Sequence, residues 1–219
     1  MLNSRSLFLL GMLAIFSSQY SYADTFTDGG DAYKAGDFTT AAKKFLEVAV
    51  KGDHRAMYAL GSMYAGGQGV DRDYKKAYLW FSKAAKYGRL DAQYKLGLMY
   101  NEGLGVPQNY KRAARLYFKP AKKGYALAQF RLGLLYAKGH AVKQSKVKAY
   151  AWLLAAKQNL DKVSRRNMGV STDIGQEKGN LFNNVDTNLI TVELETIKKD
   201  ATPEELQEAM LLAQEYSQY

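Results

Sequence analysis

The chain contains no cysteine, so a disulfide framework, a thiolate metal site, a cysteine nucleophile and a lipidated-cysteine anchor are all excluded. Histidine is almost as scarce. Only His54 and His140 occur, far apart and without a His-x-x-x-His partner, so no imidazole ligand set is legible. Only three prolines punctuate the chain, and two of them, Pro107 and Pro203, stand where helices are expected to stop and start. From Gly103 to Leu160 there is no Asp or Glu at all. Beyond residue 23 no apolar run reaches the roughly 20 residues that cross a bilayer.

What remains is a 219-residue chain, 47% apolar, which is enough to build a core and too much for a disordered segment. Its net charge is +10. Residues 1–23 combine Arg5, an apolar run from Leu7 to Phe16, and the small-x-small ending Ser21-Tyr22-Ala23. That pattern is a secretory signal peptide cleaved after Ala23, so the product is expected to be exported, to a periplasm or beyond.

The middle of the chain is organised by a period of 36 residues. At that shift Ala56, Ala92 and Ala128 coincide, then Leu60-Gly61, Leu96-Gly97 and Leu132-Gly133, then Tyr64, Tyr100 and Tyr136. Gly67, Gly103 and Gly139 follow in the same register, with Ala77, Ala113 and Ala149, and with Gly52, Gly88 and Gly124. A period of this length means stacked supersecondary units. Within one unit Ala92, Leu96, Met99 and Tyr100 make one apolar stripe on a helix from about Leu90 to Asn101. A Gly- and Pro-containing loop leads to a second helix from about Asn109 to Lys123, with Ala113, Leu116, Tyr117 and Ala121 on one face. Gly61, Gly97 and Gly133 lie inside their helices, where glycine costs roughly 0.5–1 kcal/mol relative to alanine. The expected reason is a partner helix that crosses too closely for a Cβ.

The Leu-Gly-x-x-Tyr, Gly-x-Gly-Val and Lys-Ala-x-x-x-Phe-x-x-Ala-Ala-x-x-Gly signatures, seen in Gly67-Gln68-Gly69-Val70, Gly103-Leu104-Gly105-Val106 and the run Lys76 to Gly88, resemble the Sel-one-like repeat (SLR) family, relatives of the tetratricopeptide repeat. Gly139-His140-Ala141-Val142 departs from the loop motif by one residue. The resemblance covers about residues 27 to 157. It implies an all-α, right-handed superhelix, an α-solenoid of helical hairpins with C-terminal capping helices, whose work is binding. In the related tetratricopeptide superhelix the first helix of each hairpin lines the concave face. Carried over, that geometry implies Arg55, Ser62, Asp91, Leu98, Asn101, Arg131 and Leu134 as partner-binding residues. Leu98 and Leu134 are either an exposed apolar strip in the groove or ordinary core.

The ends differ from the repeats, as terminal units should. Residues 24–160 are expected to be the repeat array, opening with a tetratricopeptide-like unit around Tyr33 whose loop is shorter. Residues 161–185 lose the period and read as an irregular insertion, a long loop or short irregular helix before the cap. Residues 186–219 are expected to be two capping helices. Thr202-Pro203-Glu204-Glu205 is a capping box with proline at the first helical position, followed by Leu206, Met210, Leu211 and Ala213. The preceding helix carries Leu189, Ile190, Val192, Leu194 and Ile197.

Charge is unevenly spread. Residues 103–160 hold 12 Lys or Arg, among them the strip Lys111, Arg112, Arg115, Lys119, Lys122 and Lys123, whereas residues 186–219 hold eight acids against Lys198 and Lys199. Either the acidic cap folds onto the basic repeat and the charges partly cancel, or the strip is offered to an acidic partner. The export signal argues against nucleic acid, and the tyrosines fall on repeat core positions rather than between the basic residues as a stacking platform requires. Catalysis has no legible constellation: no nucleophile stands beside a base, and Asp71-Arg72-Asp73 lacks the rest of a calcium loop. No cofactor is expected. The reading is an exported scaffold or adaptor that holds an envelope protein or peptide in its concave groove. The alternative is a binder of anionic cell-envelope polysaccharide through the basic strip.

Overall fold

The computed structural model describes residues 25–140, 143–166 and 187–218, and these form ten helices and no strand. The expected signal segment, residues 1–23, lies outside the described residues, as do Ala141 and Val142 of the third repeat loop. Helix α1 covers residues 25–34. It is followed by α2 (Phe38–Ala49), α3 (His54–Gly66), α4 (Tyr74–Lys86), α5 (Leu90–Glu102), α6 (Tyr110–Lys122), α7 (Ala126–Lys138), α8 (Lys146–Arg166), α9 (Thr187–Asp200) and α10 (Pro203–Tyr216). The architecture is an all-α helical-repeat solenoid, the fold the 36-residue period predicts. The chain divides into two compact units, residues 1–80 and 81–219, with the boundary inside α4.

In the first unit α1 and α2 are joined by a short turn in which Gly36 takes φ +81°, and α2 starts from Asp37, whose side chain accepts from Thr40 N. Phe45 is fully buried and packs against Phe26 with ring centroids 5.5 Å apart. Gly69 answers two demands at once. Its φ is +65°, and a Cβ there would lie 2.1 Å from the Phe38 carbonyl oxygen, so the start of α2 sits directly on the repeat loop.

In the second unit the helix-interior glycines do what their cost implied. A Cβ on Gly97 would lie 2.4 Å from the Tyr117 ring, and one on Gly133 would lie 2.8 Å from Leu153 Cγ. The second helix of each hairpin therefore crosses the first where the side chain is missing, and Tyr117 and Leu153 are themselves fully buried. Leu96, Met99, Tyr100, Ala113 and Ala121 are buried as the periodicity expects.

The period is also written in hydrogen bonds. Asp73 N donates to Tyr64 O at 2.9 Å, Asn109 N to Tyr100 O at 2.8 Å, and Ser145 N to Tyr136 O at 3.2 Å. Those same three residues cap the following helix: Lys76 N donates to Asp73 Oδ1 at 3.0 Å, Arg112 N to Asn109 Oδ1 at 2.9 Å, and Lys148 N to Ser145 Oγ at 3.2 Å. Asp73, considered above beside Asp71 as a calcium-loop carboxylate, is thus a helix cap. Among the described residues no group of three or more metal-ligating side chains occurs. None of the described helices is long and apolar enough to cross a membrane.

One boundary and the inward faces of the cap depart from expectation. Residues 161–166, assigned above to an irregular insertion, continue α8 as helix, while 167–185 lie outside the described residues. The reason is a missing stop: Gly88 and Gly124 turn the chain at φ +81° and +75°, but the next register position is Leu160, which has no access to that conformation without strain. The capping helices form, α9 and α10 both packing on α8, yet with different inward faces from those expected. Ile190, Leu194, Ile197, Ala209 and Ala213 are buried, whereas Leu189, Val192, Met210 and Leu211 are exposed. Alanines at 209 and 213 let α10 approach closely, and Tyr216 then stacks on buried Trp152 at 3.7 Å between centroids.

A buried polar network pins this cap. Gln129, fully buried, donates through Nε2 to Ala121 O at 3.1 Å and to Tyr216 O at 2.9 Å, and accepts from Asn159 Nδ2 at 3.0 Å. Each bond joins a different helix, so one side chain ties α6, α7, α8 and α10 together.

Candidate partner-binding site

The most informative concavity in the second unit has a volume of about 200 Å3 and is lined by Asn101, Glu102, Tyr110, Arg131, Leu134, Leu135, Lys138 and His140. It lies where the C-terminal turn of α5, the first residue of α6, and the outer half of α7 meet. Gly103 and Gly139 end α5 and α7 in the left-handed conformation at φ +71° and +67°, which brings both chain reversals to this edge. The α5–α6 loop is held by Gln108, whose Nε2 donates to Asn101 O at 2.7 Å and to Tyr110 Oη at 2.9 Å. His140 stacks on Tyr110 with centroids 4.6 Å apart, making one wall an aromatic platform.

Charge in the concavity is imperfectly compensated. Glu102 Oε1 accepts from Asn101 Nδ2 at 2.7 Å, but its approach to Arg131 Nη1 is only 3.8 Å, an ion pair without a hydrogen bond. Arg131 Nε is buried and has no hydrogen-bond acceptor. Beneath lies a tyrosine pair, Tyr94 and Tyr117, with centroids 5.8 Å apart. Burial raises the Tyr94 hydroxyl pKa, against the opposing pull of Arg131, and burial raises that of Tyr117 well above the ordinary value. The Tyr94 hydroxyl is hydrogen-bonded to the Arg131 side chain, but both hydroxyls stay neutral and add no compensating charge.

Three of the residues expected from the sequence, Asn101, Arg131 and Leu134, meet at this concavity. Arg55 and Ser62 belong to the first unit. Arg55 is bound to Asp53 at 2.6 Å and stacks over the Phe26 ring at 4.2 Å. Asp91 is half-buried and engaged locally, accepting from Arg89 and from Ala92 N. Leu98 requires correction. It is 2% exposed and is core, so of the two readings of the Leu98 and Leu134 pair the exposed strip is not formed. Leu134 is half-buried against the cluster that holds the capping helices together.

Five further lining residues, Glu102, Tyr110, Leu135, Lys138 and His140, are not among those the sequence led us to expect, although for three of them it holds a signal. Glu102 and Lys138 share one register position with Gly66, and His140 shares one with Gln68 and Leu104. At Glu102, Lys138 and His140 the repeats disagree, because packing does not dictate those positions, whereas Tyr110 repeats Tyr74.

The basic strip is exposed along α6: Lys111, Arg112, Arg115, Lys119, Lys122 and Lys123 all face solvent. Arg112 is partly engaged, donating from Nη1 to Tyr100 Oη at 3.1 Å and lying over that ring at 5.4 Å. That contact is another periodic one, matched by Lys76 over Tyr64 at 5.3 Å and Lys148 over Tyr136 at 5.6 Å. Among the described residues no carboxylate lies within ion-pair distance of Lys111, Arg115, Lys119 or Lys122, and no ion pair joins the acidic cap to the repeats. The cap is instead tied by lysines to backbone carbonyls, Lys146 Nζ to Asp200 O and Lys162 Nζ to Ser217 O at 2.7 Å.

Helical hairpins that recur in fixed register define the class: an α-solenoid of helical repeats. More particularly, the Sel1 repeat family model matches residues 54–88, 90–125 and 126–159. The chain therefore carries three Sel1 repeats, and proteins built of that repeat are generally scaffolds for protein–protein interaction. Among solved structures it is similar to a Sel1 repeat protein from Oxalobacter formigenes, at 23% identity and TM-score 0.58, covering 88% of this chain and 84% of that one. It is also similar to a protective antigen of uropathogenic Escherichia coli that displays an SLR fold, at 24% identity and TM-score 0.54. That alignment covers 91% of this chain but only 46% of the antigen, so the chain spans about half its length. No curated protein matches the chain in sequence.

Proposed function

We propose that the protein is an exported scaffold of the bacterial envelope that captures an extended segment of a partner protein. The observation that supports this reading is the convergence of Asn101, Arg131 and Leu134, from two successive first helices, on one solvent-open concavity with an aromatic wall. Mixed polar and apolar lining suits a protein side chain better than a purely apolar ligand. The test is in-cell photo-cross-linking from position 138, which points at the concavity, with position 75 on the exposed start of α4 as control. One discrete envelope protein cross-linked from 138 and not from 75 is the expected result, and identical patterns from both would overturn the reading. Export is checked by the mass of the chain purified from its host, which should lack residues 1–23.

A second reading assigns the basic strip to anionic envelope polysaccharide, favoured by the lack of ion-pair partners for four of its lysines and arginines among the described residues. Exposed charges are screened within about 8 Å at physiological ionic strength, so such binding weakens steeply with salt. Polysaccharide retention that is equal at low and high salt would exclude it.

A further inference from the structure

The concavity contains two cations, Arg131 and Lys138, and one carboxylate, Glu102, which is already hydrogen-bonded to Asn101. Arg131 is the poorly matched group. A guanidinium offers five donors in a planar fork suited to a carboxylate; here it is hydrogen-bonded to the Tyr94 hydroxyl, but its Nε has no acceptor and Glu102, its one ion-pair partner among the described residues, stands 3.8 Å away. The tyrosines beneath stay neutral, and from Gly103 to Leu160 the sequence has no other acid to supply. Leu134 and Leu135 form an apolar wall next to these charges, and Lys138 stands one position from Gly139 at the rim.

We infer that this concavity is a carboxylate seat, which takes a glutamate or aspartate side chain of the partner segment through Arg131, with Lys138 as the second cation and the methylenes against Leu134. The inference rests on the scaffold reading above and adds its chemistry. Glu102 is then a competitor: it occupies the electrostatic place of the incoming carboxylate without satisfying the guanidinium. An acid of a sugar polymer shares the ligand chemistry but has no methylene stem to lay on the leucine wall, which favours the peptide source.

The experiment follows the Arg131 Nε–Hε resonance of the protein as purified from its host while N-acetyl-glutamate N-methylamide is added. Parallel titrations use its glutamine isostere, N-acetyl-lysine N-methylamide and glucuronate. The glutamate probe should shift the resonance and the glutamine and lysine probes should not. Glu102→Gln should tighten the glutamate probe by about threefold, the size of a released like-charge contact at a partly exposed site. Arg131→Gln should weaken it by about tenfold, the loss of one charge-assisted pair. Arg131 also contacts buried groups, so Glu102→Gln, at an exposed residue, keeps the test valid if Arg131→Gln fails to fold. Preference for the lysine probe, lost in Glu102→Gln, would overturn the inference, as would preference for glucuronate. A protein cross-linked from position 138 together with no response to glutamate sinks the carboxylate seat and spares the scaffold. A glutamate response with no cross-linked protein keeps the seat and removes the scaffold reading.

Discussion

Lys95 shows how much one residue can be made to bear. It is 3% exposed in α5, and burial pulls its pKa down to about 7 against the opposing attraction of Asp91. The unfolded lysine, with an ordinary value of 10.5, binds more protons between about pH 7 and that value than the folded one does. Stability therefore rises with pH through this window, and the penalty is fully present below it. Lys95→Met should stabilise the fold most at or below pH 7, by a few kcal/mol at about 1.4 kcal/mol per unit of displacement, and the matching rise in melting temperature should vanish near pH 10.5. A gain independent of pH would mean that packing, not charge, is the cost. Gly97 makes the opposite point. Gly97→Ala improves helix propensity, yet its Cβ would enter the Tyr117 ring at 2.4 Å, so net destabilisation is expected in thermal melts.

At the scale of the element, the helices are defined by their ends more than by their propensities. The Asp73, Asn109 and Ser145 caps recur once per repeat, and each also donates its own N–H back to a tyrosine carbonyl. Asn109→Ala should cost about 1 kcal/mol, read as a shift in denaturation midpoint with unchanged slope. In α10 both halves of the capping box are made, Thr202 N donating to Glu205 Oε2 at 2.9 Å and Glu205 N to Thr202 Oγ1 at 3.2 Å. Asp73 and Asn109 are ordinary cap residues, but each follows a glycine-rich loop, and without the loop's path the sequence does not show which polar residue after it opens the helix. The long reach of α8 was legible, in the Leu160 that stands where Gly88 and Gly124 predict glycine.

At the scale of the whole molecule, stability belongs to stacked interfaces, and each repeat's core is closed by the next element. Leu132, 1% exposed, sits in that stack, and Leu132→Ala should cost roughly 2–5 kcal/mol, out of a typical total of about 5–15, and lower the melting temperature accordingly. Leu98→Asp, at another core position, should unfold the chain rather than impair binding alone, as circular dichroism would show. Removal of α10 should unmask Trp152 and leave Gln129 without its Tyr216 acceptor, with loss of cooperative melting in the last repeat as the expected readout.

The sequence by itself determined the fold class, the 36-residue Sel1-type unit, the close helix crossings at Gly97 and Gly133 and the capping box, because each depends on local chemistry. Tertiary structure alone decided which leucines were core. Leu98 and Leu134 share a register position, yet one is buried and the other is half-buried beside a concavity, because burial depends on what the neighbouring elements cover. It alone decided that Leu189, Val192, Met210 and Leu211 face outward, since two stripes on a short helix are equivalent until a partner helix selects one. It also assembled the candidate site, in which Glu102 and Arg131, with His140 and Tyr110, come from different helices and loops. Glu102, Lys138 and His140 stand at positions that packing leaves free, and free positions carry no period by which to be read.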